Sequence, residues 1–179
     1  MLDQQRQTVV IEGLPPAANP PVLSLFRNFS APVTWDAGQS TDELFALFAG
    51  DDDAFARWDA GQQLWKQLML ARAAGTPALA LETRMLEALR QLLSEQGEKD
   101  PAVLATLLAF PGQAELEALQ TEADPPALER AACELRAHLG SQLASLLQAR
   151  LNSVASGLEQ LWPAAVSYTH LTLPTSSQV

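Results

Sequence analysis

The spacing of apolar residues changes near residue 38, from the alternation typical of strands to the three- and four-residue spacing of helices. Before this point, Gln7 to Glu12 contains the β-branched residues Val9, Val10 and Ile11, and Val22 to Thr34 forms a second extended stretch. Pro32 favours an extended backbone at Ala31 and cannot donate to a ladder, so the second stretch is predicted to be an edge or terminal strand. Two or three such strands are too few for an independent sheet.

Six helices are predicted after residue 38, and most have a residue signal where they begin or end. Ser40 and Glu43 form a capping box before the first helix, which Gly50 ends. Asp51 to Asp53 place negative charge at the start of the second helix, where the helix dipole favours it. Gly75-Thr76-Pro77 ends the second helix, and a third helix is predicted over Leu79 to Ser94. Asp100-Pro101 marks the start of the fourth helix, and Asp124-Pro125 marks the start of a long sixth. A short fifth helix is predicted over Ala114 to Leu119.

The apolar stripes of these helices predict the core and the fold class. Little sequence follows the sixth helix to cover its stripe, so we expect that helix to lack a partner. The pattern favours a mainly α fold, an α-solenoid-like or irregular helical array preceded by a few β-strands. The predicted inward residues are Phe55, Trp58, Trp65, Leu68 and Met69 on the second helix, Leu81, Met85, Leu89, Leu92 and Leu93 on the third, Val103, Leu104, Leu107 and Leu108 on the fourth, and Leu128, Leu135, Leu139, Leu143, Leu146 and Val154 on the sixth.

Charge and cysteine content argue against some classes of binding partner and indicate a cellular compartment. The net charge of −10 argues against nucleic acid and against anionic lipid surfaces as partners. Cys133 is the only cysteine, which excludes a disulfide within the chain and fits a reducing compartment. The first residues contain neither the basic nor the apolar region of a signal peptide, and no apolar run reaches transmembrane length. We therefore expect a cytoplasmic protein without nucleic-acid or membrane partners.

Few residues offer metal-binding chemistry. Glu134 and His138 are four residues apart on one helix face, but a zinc site needs a third ligand, and the other histidine, His170, lies near the end of the sequence. We expect Glu134 and His138 to belong to an ordinary surface ion pair. Asp51 to Asp53 lack the spaced ligands of a calcium loop, and are interpreted as helix-start charges.

The remaining candidates are one thiol and four tryptophans. Cys133 lies in a Leu/Ala-rich helix, where a small buried apolar role is expected rather than a nucleophile. Trp35, Trp58, Trp65 and Trp162 could line a ligand pocket, but the spacing of Trp58 and Trp65 is typical of a core. The sequence contains no glycine-rich phosphate loop and no nucleophile elbow. It therefore predicts no catalytic, cofactor-binding or metal-binding residue in this chain.

Two stretches are distinctive: Leu25 to Val33, with the sequence LFRNFSAPV, and Arg57 to Gln62, with the sequence RWDAGQ. Together with Asp100-Pro101-Ala102 and Asp124-Pro125, they make residues 7–156 resemble a segment of bacterial aminopeptidase N, the alanyl aminopeptidase class of zinc metallopeptidases. These enzymes combine an N-terminal β domain, a thermolysin-like catalytic domain, an Ig-like β sandwich and a helical C-terminal domain.

The resemblance implies a division of the chain into three parts. Residues 1–37 would be the terminal strands of an incomplete Ig-like domain, and residues 38–162 the first part of the C-terminal helical domain. Residues 163–179 change to a Ser-, Thr- and Pro-containing composition and resemble translated sequencing-adapter DNA. We expect them to be an artefactual or disordered tail.

The resemblance also implies a function for the parent enzyme, the zinc-dependent release of N-terminal amino acids from peptides. The family's H-E-x-x-H and Gly-x-Met-Glu-Asn motifs do not occur in this sequence, and its only tyrosine, Tyr168, lies in the tail. The piece would then be a non-catalytic structural domain that needs no cofactor of its own. Its partner would be the catalytic domain of the same polypeptide, and the parent would bind peptides and zinc. The alternative is a stand-alone helical-repeat protein-interaction module that binds a protein through its Leu-rich faces.

Overall fold

Six α-helices account for most of the chain in the computed structural model, which describes residues 8, 10, 12–13, 21–31, 33, 35–94 and 97–161. A single 3-10 turn, Arg27–Phe29, precedes them. The helices are α1 (Thr41–Gly50), α2 (Ala54–Ala73), α3 (Leu79–Leu93), α4 (Pro101–Leu108), α5 (Gln113–Glu117) and α6 (Pro125–Leu161). The mainly α fold and the number of helices are therefore confirmed.

The predicted helix starts form the expected hydrogen bonds. The Ser40 hydroxyl accepts from the Glu43 amide at 3.3 Å, and the Glu43 carboxylate accepts from the Ser40 amide at 2.8 Å, which completes the capping box. This contact lowers the pKa of Glu43, chiefly through the backbone amide of Ser40. Asp100 accepts from the Ala102 amide at 2.8 Å, and Asp124 accepts from the Ala127 amide at 3.0 Å. Each of these side chains satisfies an amide that the helix itself leaves free.

Helix α2 lies at the centre of the array, because α1, α4 and α6 all pack against it. Helix α6 also packs on α3 and α5. The expectation that the sixth helix lacks a partner is therefore wrong, since helices made earlier in the chain fold back to cover its stripe. The buried residues of α6 are Ala127, Leu128, Ala131, Ala132, Leu135, Leu139 and Leu143, which recur every three or four residues.

Most of the predicted core is confirmed. Trp65, Leu68 and Met85 are among the fully buried side chains, as are Leu89 and Leu107. The predicted inward residues that are only partly buried lie at the margins of the core, namely Phe55, Leu81, Val103, Leu108, Leu146 and Val154.

The predicted strand over Val22 to Thr34 is not present in the described part of that stretch. Arg27–Phe29 form the 3-10 turn instead, and Phe26, Asn28 and Phe29 adopt left-handed φ angles of 51°, 54° and 52°. A strand needs a neighbour to pair its amides and carbonyls, and the described residues contain no other strand to supply one. The predicted strand over Gln7 to Glu12 lies outside the described residues except for residues 8, 10 and 12, as does the tail at 163–179.

Within the residues that the structure describes, no helix is both long enough and apolar enough to cross a membrane.

Candidate functional site

Arg27 to Phe29, in the first distinctive stretch, lie against the start of α2, the helix that contains the second stretch. We call residues 21–36 the leading segment. Its Phe29 ring contacts Phe55 of α2 edge to face, with centroids 5.2 Å apart, and its Trp35 ring lies 6.0 Å from Phe55. Phe55 in turn lies 5.7 Å from Trp58. These separations are within the range of favourable aromatic pairs, so the rings form a continuous cluster that joins the leading segment to α2.

Charged groups reinforce this junction. Arg27 Nη1 donates to Asp51 Oδ1 at 2.9 Å, and Nη2 donates to Asp52. The Asn28 amide donates to Asp53 Oδ2 at 2.9 Å, while Asp53 Oδ1 accepts from the Ala56 amide at 2.8 Å. Arg27 lowers the pKa of Asp52, first through the hydrogen bond and then through its charge.

The acidic run therefore has two roles, and the sequence predicted one of them. Asp53 caps α2, as its position at the helix start indicated. Sequence reasoning missed the ion pairs of Asp51 and Asp52 with Arg27, which is more than twenty residues earlier in the chain. The available signal was the single arginine in LFRNFSAPV, whose charge is opposite to that of the three aspartates.

A polar cleft of about 490 Å³ lies beside the junction, between the start of α2 and the end of α3. Its walls include the ion pair between Arg57 and Glu98. The Asp100 amide, which donates to Glu98 Oε1 at 2.9 Å, is the main cause of the lowered pKa of Glu98. Burial opposes that shift, and Arg57 adds to it. Arg57 and Glu98 pair with each other here, which favours a structural role for the cleft.

The predicted metal-binding and nucleophilic candidates are on the surface of α6. Glu134 pairs with Arg72 at 3.3 Å, so the expected surface ion pair exists but with a different partner from His138. His138 is exposed, and its carbonyl accepts from the Ser141 hydroxyl at 2.7 Å. Cys133 is exposed, so the prediction that it is a small buried residue is wrong. Within the described ranges no group of three or more His, Cys, Asp or Glu side chains is placed to hold a metal ion.

The tryptophans have different environments. Trp65 is 1% exposed and its indole Nε1 donates to the Leu107 carbonyl at 3.3 Å, which confirms its predicted core position. Trp58 is 38% exposed, so its predicted core position is wrong. It lies beside α4, and the two helices leave a shallow depression of about 370 Å³ between them. Trp35 is half-buried in the junction, and Trp162 lies outside the described residues.

The geometry of this site is suited to holding parts of a protein together. The carboxylates of the acidic run accept hydrogen bonds from Arg27, from Asn28 and from the first turn of α2. The aromatic cluster presents Phe29 and Trp58 to solvent. The candidate functional site is therefore a junction and the surface around it, and its chemistry is that of binding.

Residues 41–168 match the family described as "Domain of unknown function (DUF3458_C) ARM repeats". The match covers all six helices of the array, and the chain belongs to this family of helical repeat domains.

The curated relatives identify the larger proteins in which such a segment occurs. Aminopeptidase N of Caulobacter vibrioides (strain ATCC 19089 / CIP 103742 / CB 15) is 40% identical over 148 residues, which are 83% of this chain and 17% of the relative. Aminopeptidase N of Escherichia coli (strain K12) is 32% identical over 136 residues, or 74% of this chain and 16% of the relative. Aminopeptidase N of Haemophilus influenzae (strain ATCC 51907 / DSM 11121 / KW20 / Rd) is 30% identical over 126 residues, or 69% of this chain and 14% of the relative.

The resemblance drawn from the sequence is thus confirmed. Most of the chain is homologous to bacterial aminopeptidase N, and it spans about a sixth of the length of these relatives.

Proposed function

We propose that this chain is part of the C-terminal helical domain of a zinc-dependent aminopeptidase that releases N-terminal amino acids from peptides. Its role in that enzyme is structural: it covers the catalytic domain and helps to shape a closed cavity that admits peptides. The observation that carries the proposal is the 40% identity to the Caulobacter vibrioides aminopeptidase N over 83% of this chain.

The chemistry of the chain supports a non-catalytic role within such an enzyme. The sequence contains no H-E-x-x-H motif, and the described residues bring no three metal-ligating side chains together. The residues present do not fit a zinc ion, so in this proposal the zinc is held by another part of the polypeptide. The peptides that the enzyme cleaves are also bound outside this chain.

The leading segment belongs to the same proposal. Its sequence favours an extended backbone, yet it contains three non-glycine residues with left-handed φ angles, a conformation that is costly for ordinary side chains. We propose that in the whole enzyme residues 1–37 are the last strands of an Ig-like domain.

Reading the gene on both sides of this coding sequence tests the proposal. We expect an in-frame H-E-x-x-H motif upstream and further helical sequence in place of residues 163–179. The purified 179-residue chain should show no chelator-sensitive hydrolysis of an alanine-linked reporter. Zinc-dependent hydrolysis by the chain alone, or a gene without the upstream motif, would contradict the proposal.

A cytoplasmic location is part of the proposal, consistent with the lone Cys133, and cell fractionation with an antibody to the chain would check it.

A second candidate function is a stand-alone helical-repeat module that binds a protein. The observation in its favour is the helical core that this chain closes by itself, with α1, α4 and α6 packed around α2. A gene that encodes only this chain, together with a cooperatively folding product, would favour this alternative.

A further inference from the structure

We propose that an exposed apolar surface on α2 and α4 is the docking surface for the rest of the aminopeptidase polypeptide, the part that precedes this chain. The surface, which we call the aromatic patch, is lined by Ala54, Phe55, Trp58, Ala102, Val103 and Thr106. The inference rests on the proposed function and adds to it the face through which the helical array binds the remainder of the enzyme.

The patch exposes side chains that a folded protein normally covers. Trp58 is 38% exposed, whereas Trp65, two turns further along the same helix, is 1% exposed. Phe29, whose ring contacts Phe55 at the edge of the patch, is 57% exposed. Contiguous apolar surface of this kind is characteristic of interaction sites.

The patch is also held in place before any partner binds. Phe55 is fixed by contacts with Phe29, Trp35 and Trp58, with ring centroids 5.2–6.0 Å apart. The helices that carry it are capped by Asp53 and Asp100. A tryptophan on such a rigid base is the kind of residue that dominates binding energy at interfaces, because little freedom is lost when it is covered.

The position of the patch and the size of the relatives indicate its occupant. The chain spans 14–17% of the length of the aminopeptidases it matches, so most of such an enzyme lies outside it. Phe29 of the leading segment contacts Phe55 at the edge of the patch, so the polypeptide that leads into this segment reaches the array beside the patch. A surface reached through a short tether has a high effective concentration of its partner, so the preceding polypeptide is favoured over a free protein.

Charge around the patch specifies the chemistry of the partner surface. Asp100 caps the helix that carries Val103, and the whole chain has a net charge of −10. We therefore expect the covering surface to be apolar at its centre with lysine and arginine at its rim.

Binding in trans tests the inference. The probe is the portion of the Caulobacter vibrioides aminopeptidase N that precedes its 148 matched residues, purified as a folded monomer and titrated with the full 179-residue chain. We expect Trp58→Ala to weaken binding by about 30-fold or more, as truncation of a central interface tryptophan does. Thr106→Arg, which adds bulk to the patch from an exposed position, should weaken binding similarly. Leu151→Ala, at a site on α6 that is 62% exposed, is the matched control and should bind like the wild type.

Protection from labelling gives a second measurement that does not depend on loss of affinity. Cys133→Ser removes the exposed thiol, and Thr106→Cys then places a single cysteine on the patch. The probe should slow maleimide labelling of that cysteine at least several-fold, and should not slow labelling of a Leu151→Cys control in the same background.

The outcomes separate this inference from the proposed function. Equal binding by all the variants, with no protection at position 106, would overturn the docking surface and leave the proposed function standing. An absence of binding to the folded probe would also overturn it, while the upstream gene sequence would still decide the proposed function. Trp58-dependent self-association of the chain without the probe would assign the patch to a second copy, and would likewise overturn the inference.

Discussion

Both carboxylate oxygens of Glu82 accept hydrogen bonds from Nη2 of Arg72, at 2.7 and 2.6 Å. The carboxylate is on α3 and the arginine is on α2, and Arg72 also reaches Glu134 on α6 at 3.3 Å. Glu82 is 5% exposed, so its charge depends on this partner. One guanidinium thereby links three helices of the array.

Neutralising Glu82 should destabilise the fold. Glu82→Gln keeps the shape of the side chain but removes the charge that Arg72 pairs with, and should lower the free energy of unfolding by about 1–3 kcal/mol. Urea denaturation monitored by circular dichroism at 222 nm would measure it. The control is Glu87→Gln at an exposed position of the same helix, where a change within about 0.5 kcal/mol is expected. Equal midpoints for the two variants would show that the pair contributes little.

Two helical glycines should respond to alanine with opposite signs. A Cβ added to Gly61 would lie 2.8 Å from the ring of Phe48, which is fully buried and cannot move aside, so Gly61→Ala should cost about 1–3 kcal/mol. A Cβ added to Gly140 meets nothing within 4 Å, so Gly140→Ala should stabilise α6 by about 0.5–1 kcal/mol. Thermal unfolding of both variants checks the prediction, which fails if the two shift in the same direction.

The cap of α2 also anchors the leading segment. Asp53→Ala removes the acceptor of both the Ala56 and the Asn28 amides, and should lower the free energy of unfolding by about 1–2 kcal/mol. Hydrogen exchange at the Asn28 amide should become faster at the same time. Asp52→Ala removes only an exposed partner of Arg27, so it should have a smaller effect on unfolding and should leave the Asn28 amide protected.

Asp59 should make stability depend on pH. Burial raises the pKa of Asp59 above its ordinary value, more than its hydrogen bond from Gln63 lowers it. The folded protein then holds this proton to a higher pH than the unfolded chain does. The associated stability is present below the unfolded pKa and is lost as the pH rises through the folded pKa.

A variant isolates this contribution. Asp59→Asn should therefore have a higher Tm than the wild type at pH 7, and the difference should shrink towards zero near pH 3, where both side chains are neutral. Differential scanning calorimetry across this range would measure it, with the exposed Glu129→Gln as the control. A difference between Asp59→Asn and the wild type that does not change with pH would contradict the assignment.

The features that the sequence predicted are those whose partners are close in the chain. Ser40 and Glu43 are three residues apart, and the caps at Asp100 and Asp124 act on amides two or three residues later. Such contacts depend on local residue types alone, so the helix starts could be predicted to within a residue or two.

The features that the sequence did not predict depend on distant neighbours. The apolar period of α2 gives the direction in which Trp58 points but not how far other elements cover it, and Trp58 remains 38% exposed beside α4. The pairing of Arg27 with Asp51 joins residues 24 apart, and the stripe of α6 is covered by helices made much earlier. The extended pattern near Pro32 was interpreted as a strand, but a strand exists only where another strand pairs with it.

The packing of α6 on α2 constrains the order in which this chain can fold. Contacts between α1 and α2 are local, such as the bond from Arg57 to the Phe48 carbonyl nine residues earlier. The contact from Arg72 to Glu134 spans 62 residues. During synthesis α1 and α2 can pair as soon as they leave the ribosome, whereas the part of α2 that packs on α6 stays uncovered until α6 has emerged. The nascent chain must therefore carry an open apolar surface from the completion of α2 until α6 is made, and a pause before α6 would prolong the period in which chaperones can bind it.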